Sequence, residues 1–325
     1  VVTVGILGAG GMGNVHARHY RRMRDVELFF YDPDEGQAET FVQRHQVGAA
    51  PSPEDLIARC DLIDLCLPTP LHLRYGLAAL AAGKPVLIEK PIANCLEDGV
   101  KLVEAADKAG VPLMPGHVIR FFREYSTGNR MVKRGDVGMP AAVRVRRGGG
   151  APKGLNAWFM DHSKSGGILI DLGIHDFDWL RWTLGEVKHL YSRSIGAKTG
   201  QGLDYALTTM TFDSGCVAHA EATWMDPGGS RATYEVCGDK GMIQYDSRNT
   251  ATLRTTVAGK GFVAESPMLG SDDPYYNQLR AFIEAATKHE APPVTGHDAL
   301  MALSIAIAAR ESALAGKVVT PARQF

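Results

Sequence analysis

Three groups of residues in this chain have types and spacings that could do chemistry. The first is a glycine loop, Gly8-Ala9-Gly10-Gly11-Met12-Gly13, set between an apolar run ending at Leu7 and a segment of helical composition. In a strand–turn–helix setting, Gly8 permits the tight turn and Gly10 lets the backbone approach a pyrophosphate. Gly13 lets the helix close on the strand. A diphosphate would then lie over the unpaired N–H groups of the helix N-terminus and the positive end of its dipole. A second apolar run, Val26–Tyr31, ends in Asp32, about twenty residues beyond the loop as the dinucleotide fingerprint requires. That carboxylate can accept both ribose hydroxyls of an adenosine. It repels a 2′-phosphate, and Pro33 and Asp34 supply no arginine to hold one. The expected cofactor is NAD rather than NADP.

The second group is Glu89-Lys90-Pro91, at the end of the apolar run Val86-Leu87-Ile88. A residue before proline is pushed to extended geometry, so Lys90 projects from a strand end, where an ammonium can polarise an alcohol or carbonyl oxygen. A lysine at a turn is more often simply solvated. The third group is Asp171 and His175, four apart in a helix headed by Gly166-Gly167 and so expected on one face. A histidine held by a carboxylate is a proton acceptor near neutral pH; a local helix ion pair is the alternative. Asp176 and Asp178 flank the same histidine, and His72, His117 and His162 are further candidates, although a lone histidine is more often structural.

The elements that must position these groups follow in order. A helix is expected from Asp34 to Arg44, and another after Ser52-Pro53, with Ser52 as N-cap and Pro53 at the first helical position. The apolar run 61–67 reads as a buried strand leading into Pro68-Thr69-Pro70-Leu71-His72. Helices Leu73–Ala82 and Glu97–Ala109 stop at Gly83 and Gly110, where a C-terminal glycine belongs, and Val111–Met114 is a last short strand. This alternation specifies a doubly wound parallel sheet, in which ligands lie beyond the carboxyl ends of the strands. The loop Gly8–Gly13, Asp32, Thr69, His72, Glu89 and Lys90 all fall at such ends and are the expected cofactor contacts.

Beyond Gly116 the pattern changes. A helix Phe121–Arg134, a strand Ala141–Arg147, a Gly148-Gly149-Gly150 loop and a helix from Gly167 to Leu184 precede six segments of strand character. These are His189–Ala197, Tyr205–Phe212, Val217–Trp224, Ala232–Cys237, Met242–Tyr245 and Ala251–Val257, joined by turn-like sequences, which signals hairpins. Helices Tyr276–Lys288 and His297–Ala315 close the chain. The expected organisation is a Rossmann domain over 1–117 and an α+β domain over 118–325. The second would carry an open, mainly antiparallel sheet with helices on one face and its other face covered by self-association.

A chain of 325 residues suits two domains. A net charge of −1 gives no electrostatic case for nucleic acid or an anionic membrane. The five cysteines, Cys60, Cys66, Cys95, Cys216 and Cys237, are scattered without Cys-x-x-Cys spacing and suggest neither a disulfide framework nor a metal site. With no signal peptide and no apolar run of bilayer-spanning length in view, a cytoplasmic protein is expected.

Taken together, Gly8-x-Gly10-x-x-Gly13, Thr69-Pro70-Leu71-His72, Glu89-Lys90-Pro91 and Asp171-x-x-x-His175 behind two glycines resemble the Gfo/Idh/MocA oxidoreductases, the glucose–fructose oxidoreductase and inositol dehydrogenase relatives. The resemblance spans essentially the whole chain. It implies catalytic roles for Lys90 and His175 with Asp171 assisting, and a sheet domain that frames the substrate and forms homodimers or homotetramers. The implied reaction is NAD-dependent oxidation of a ring secondary alcohol of a sugar, nucleotide-sugar or cyclitol. His175 would remove the hydroxyl proton, Lys90 would stabilise the alkoxide, and hydride would pass to the nicotinamide. Arg120 and Trp158 join Lys90, Asp171 and His175 as candidate substrate contacts. The rival readings are an NAD-assisted glycosidase, which would release no net NADH, and a non-catalytic dinucleotide-binding sensor, which has no need of Lys90, Asp171 and His175. Arg144 and Arg146 share one face of their strand. They are expected either to pair with carboxylates of a neighbouring subunit or, with Arg147 and the glycines after it, to meet an anionic group on the substrate.

Overall fold

The computed structural model describes residues 1–152, 155–196, 204–226, 228–249, 252–257, 261–265 and 273–325. They form two compact units, one of residues 1–118 with 273–300 and the other of residues 119–272 with 301–325.

The first unit is built on strands β1 (Val2–Leu7), β2 (Val26–Tyr31), β3 (Gly48–Ala49), β4 (Leu62–Leu65), β5 (Val86–Ile88) and β6 (Leu113–Pro115). They pair in the order β3-β2-β1-β4-β5-β6, parallel throughout. The chain leaves β1 toward one edge and returns at β4 on the other side, so the crevice lies beyond the carboxyl ends of β1 and β4. Val4, Ile6, Ile63, Leu65, Val86 and Ile88 are fully buried, the near-continuous apolar strands that a sheet covered on both faces requires. Between them run α1 (Gly11–Tyr20), α2 (Glu35–His45), α3 (Pro53–Arg59), α4 (His72–Ala81) and α5 (Leu96–Ala109). The expected stops hold: Ser52 Oγ accepts from Asp55 N at 3.0 Å with Pro53 behind it, and Gly83 and Gly110 adopt positive φ. Residues 273–300 return to this unit. There Tyr275 stacks on His19 with ring centroids 6.1 Å apart, and Arg280 donates to Asp25 at 2.6 Å.

In the second unit, α6 (Arg123–Arg134) precedes β7 (Pro140–Gly148), and α7 (His162–Ser165), α8 (Ile168–Asp171) and α9 (Gly173–Leu184) follow. Strands β8 (Val187–Ile195), β9 (Tyr205–Phe212), β10 (Val217–Thr223), β11 (Arg231–Gly238), β12 (Gly241–Asp246), β13 (Leu253–Val257) and β14 (Gly261–Glu265) complete an eight-stranded sheet. Its order is β14-β13-β12-β11-β7-β10-β9-β8. Only β7 and β10 pair in parallel among the described strands, so the sheet is mixed and mainly antiparallel. The ends of two expected strands, Ala197 and Ala251, lie outside the described residues. Helix α10 (Pro274–Lys288) belongs to the first unit, and α11 (Gly296–Ala315) is divided between the two.

Period-two alternation settles which face of the second sheet is covered. Val143, Val145, Ala218, Ala220, Tyr234 and Val236 point inward. There Trp179 of α9 packs on Tyr234 with the rings tilted by 33° and centroids 4.6 Å apart, meets Tyr125 edge-on at 5.4 Å, and donates its indole N–H to the Tyr125 carbonyl at 3.0 Å. Arg144, Arg146, His219, Glu221 and Glu235 point outward, where they line a shallow concavity of about 840 Å³. This hollow thus lies on the face opposite α9.

Candidate active site

The glycine loop closes as its spacing predicts. Gly8 has φ +106°, a conformation that favours glycine, and a Cβ on Gly13 would fall 2.0 Å from the Gly8 carbonyl oxygen. Nothing lies within 4 Å of where a Cβ on Gly10 or Gly11 would be, so the amino end of α1 faces open space. The first N–H groups of a helix have no intrahelical partner, and here they face that opening. Asp32 is hydrogen-bonded across the turn: Ala9 N donates to its Oδ2 at 2.7 Å and Asp34 N to its Oδ1 at 2.9 Å. Asn14 braces the loop from behind, donating to the carbonyls of Ala9 at 2.7 Å and Gly10 at 2.9 Å. Its Oδ1 accepts from Arg44 and His45, both at 2.9 Å. This open cradle, with an acid at the next strand end, fits a dinucleotide.

The segment after β4 turns through a 3₁₀ turn at Thr69–Leu71, with Thr69 4% exposed. His72 is buried between two loops, with Nε2 2.9 Å from the Leu67 carbonyl oxygen and Nδ1 3.0 Å from that of Pro91. Burial lowers its pKa. Its position makes it a clamp between the β4 and β5 ends. Lys90 itself is half-buried, and the Lys90–Pro91 peptide is cis. The Glu89 carboxylate is only 7% exposed; Lys90 N donates to Oε2 at 3.3 Å, and Oε1 faces His16 Nε2 at 3.3 Å. Gly116 is where that carboxylate lies, since a Cβ there would meet Oε1 at 2.9 Å.

His16 was not among the residues the sequence singled out, although two signals pointed to it. It sits one turn into the helix that the glycine loop opens, and Asp64 stands in the middle of an otherwise apolar buried strand, where a carboxylate requires a partner. The structure supplies it: His16 Nδ1 lies 2.8 Å from Asp64 Oδ2, and Cys66 Sγ is 3.3 Å from the same nitrogen. Burial opposes the charge on His16, but Asp64 and Cys66 outweigh it and hold the imidazolium well above the ordinary histidine range. His16, Asp64 and Cys66 are the one group of metal-ligand types brought together among the described residues. Burial and the Asp64 charge raise the Cys66 pKa, and in this arrangement the three side chains are hydrogen-bonded to one another.

In the second unit the structure corrects the expected continuous helix from Gly167 to Leu184. Asp171 closes α8 and His175 belongs to α9, with Leu172 at φ −100° between them. The His175 N–H reaches the Leu172 carbonyl at 3.4 Å, a tightened turn, and Gly173 leaves room for the Phe177 ring, 3.2 Å from where its Cβ would stand. One residue, Leu172, with right-handed helical dihedrals, separates the two helices. Asp176 and Asp178 are accounted for separately. Asp176 accepts from Arg147 at 2.8 and 3.0 Å, and Asp178 from Arg120 at 2.6 and 2.8 Å.

Arg120 is thus 8% exposed and committed to a buried ion pair. Trp158 is half-buried with its ring centroid 4.1 Å from that of Phe159. Arg147 also donates to the Tyr125 hydroxyl at 2.8 Å, so that β7 is tied to α6 through Tyr125 and to α9 through Asp176. Arg144 pairs with Glu235 at 3.0 Å, and Arg146 with Glu221 at 3.0 Å and Asp226 at 3.2 Å. The carboxylates expected from a neighbouring subunit come from adjacent strands and loops of this same chain. A second carboxylate-held imidazole lies nearby in sequence: His162 Nε2 is 2.8 Å from Asp204 Oδ2, and its ring packs against Gly167.

Comparison with known proteins agrees with this layout. The family described as the NAD-binding Rossmann fold of the oxidoreductase family matches residues 2–117, and its C-terminal alpha/beta domain matches residues 129–320. The myo-inositol 2-dehydrogenase of Thermotoga maritima is 30% identical over 95% of this chain and 95% of its own. The scyllo-inositol 2-dehydrogenase (NAD(+)) of Bacillus subtilis is 28% identical over 96% of this chain and 94% of its own. Among solved structures, a probable dehydrogenase from Thermotoga maritima superposes with a TM-score of 0.84 at 27% identity, covering 98% of this chain and 99% of that one.

Proposed function

The chain belongs to the Gfo/Idh/MocA oxidoreductases, and from that membership we propose that it oxidises a ring secondary alcohol of a cyclitol or sugar to the ketone with NAD. The observation that carries the cofactor half is the open cradle at the amino end of α1 with Asp32 hydrogen-bonded across it. Residues Gly8–Gly13 and Asp32 would hold the dinucleotide, with Thr69 and His72 shaping the neighbouring strand end. NAD supplies the hydride acceptor when bound. The substrate half is supported by likeness along nearly the whole chain to the myo-inositol 2-dehydrogenase.

In this reading Lys90 stabilises the developing alkoxide as an ammonium, and His175 accepts the hydroxyl proton. Asp171 orients His175 or binds a neighbouring hydroxyl. A cyclitol or free sugar is favoured over a nucleotide-sugar, because Arg144, Arg146 and Arg147 are already neutralised by Glu235, Glu221 and Asp176. A cytoplasmic homo-oligomer, with a second copy over the outer sheet face, completes the proposal. No described helix is long and apolar enough to cross a membrane.

The test is NADH formation against a panel of inositols, hexoses, glycosides and UDP-sugars, repeated with Lys90→Ala and His175→Ala. General acid–base groups contribute about 10²–10⁴-fold, so each variant should lose turnover on that scale while binding NAD. Hydrolysis of a glycoside with no net NADH would replace this reading with the glycosidase. Losses under about tenfold in both variants would remove Lys90 and His175 from the chemistry.

A further inference from the structure

The buried cluster behind the β5 strand end has no task in the reaction as described, yet charged groups in a sheet interior are costly unless they are paired. His16 is fully buried between two carboxylates: Nδ1 is hydrogen-bonded to Asp64 of β4 at 2.8 Å, and Nε2 lies within ion-pair distance of Glu89, just beyond β5, at 3.3 Å without making a hydrogen bond. Around it stand His19 on its own helix, Asp64 and Cys66, Glu89, and the ring of Tyr275 on α10 at 6.3 Å, while Tyr20 shares the Asp64 and Cys66 surroundings. Asp64 is hydrogen-bonded to one imidazolium nitrogen and the Glu89 charge faces the other. Glu89 in turn holds the backbone N–H of Lys90, and Gly116 leaves the space its carboxylate occupies. A chain of contacts therefore runs from the middle of β4 to the residue before Pro91.

We propose that His16, clamped by Asp64, is a positioning residue that fixes the Glu89 carboxylate and through it the strand end bearing Lys90. This rests on the catalytic reading of Lys90 given above. His16 stands on α1, which is also the helix that presents the dinucleotide cradle. One side chain thus ties the placement of Lys90 to the element that receives the cofactor. Misplacing a reacting group by about 1 Å costs on the order of 10²-fold in rate.

The test is a double-mutant cycle in the full-length chain, with kcat from NADH formation and NAD affinity from fluorescence titration. His16→Gln should lower kcat about tenfold to hundredfold and leave the NAD dissociation constant within about threefold, under 1 kcal/mol. In the Glu89→Gln background, the same change should cost little more, because its effect passes through Glu89. Equal losses in both backgrounds, or an unchanged kcat, overturn the proposal. Lys90→Ala measured alongside separates the two claims: if it stays active, the catalytic reading itself fails. If it collapses while His16→Gln does not, only the positioning role fails. Should His16→Gln not fold, ¹⁵N-histidine NMR of the unaltered protein decides. Both His16 nitrogens should carry protons at pH 8, with the Nε2 resonance moving in Glu89→Gln; a neutral His16 at that pH overturns the proposal.

Discussion

Asp32 shows how much a single residue can be asked to do. Its two oxygens are held by Ala9 N and Asp34 N, so the carboxylate stands fixed at the lip of the glycine turn. Such hydrogen bonds to a charged group contribute about 1.5–3 kcal/mol each, and the same charge excludes a 2′-phosphate. Asp32→Ala should weaken NAD binding by about tenfold or more and narrow the preference over NADP, measured by titrating both nucleotides. A wild-type protein that prefers NADP would overturn the assignment. The contrast with Arg120 is instructive. A cationic residue near the start of the second unit is a reasonable contact on type, and its guanidinium donates to Asp178 at 2.6 and 2.8 Å in the interior.

At the level of elements, the β1–turn–α1 unit separates two roles that glycines play in one motif. Gly13 is where helix and strand meet, and a methyl there would collide with the Gly8 carbonyl at 2.0 Å. Gly10 has open space where its side chain would be. Gly13→Ala should therefore lower stability, visible as a fall in the urea midpoint, with cofactor binding lost along with it. Gly10→Ala should leave the urea midpoint nearly unchanged and weaken NAD binding, because the methyl enters the volume where a pyrophosphate would approach. Equal destabilisation by both would mean that the space above Gly10 serves folding alone. The break at Leu172 belongs to this scale too: Asp171 ends the four-residue α8 and His175 lies in the first turn of the twelve-residue α9.

For the molecule as a whole, buried titratable groups set the pH range of stability. Burial lowers the pKa of His19, His45 and His72 from the ordinary 6.5. The unfolded chain then binds more protons than the folded one as the pH falls below that value, and stability drops. On the alkaline side, burial pushes the thiols of Cys60 up to about 12 and of Cys216 up to about 11, from 9.0. There the folded chain holds protons that the unfolded chain releases, so stability is lost as pH rises above 9. His16 works with the opposite sign to the other histidines, its contribution being complete below 6.5 and lost as pH rises through its raised folded value. Thermal midpoints should peak between about pH 6.5 and 9; a midpoint still climbing at pH 10 would refute this. In the native protein Cys95 should react first with a thiol reagent, being the exposed cysteine, while Cys60, Cys66 and Cys216 react only on unfolding.

The sequence by itself determined whatever local physics controls. The glycine turn, the acid at the end of β2, Ser52 capping α3 and the left-handed glycines closing α4 and α5 each depend on a few adjacent residues, and each stands where its spacing placed it. Apolar periodicity likewise separated the parallel sheet from the mainly antiparallel one, because covered strands and half-covered strands carry different patterns. Only the tertiary structure decided which charges meet. Arg147 with Asp176, Arg120 with Asp178 and Arg144 with Glu235 are 29, 58 and 91 residues apart, and no local rule pairs residues at such separations. The same holds for His16, whose partners lie 48 and 73 residues along the chain, from position 16 to 64 and 89, and for residues 273–300, which rejoin the first unit after the second sheet is complete. Helices and turns are specified by neighbours in sequence; ion pairs between distant elements are specified by neighbours in space, which exist only once the sheets have brought their strands together.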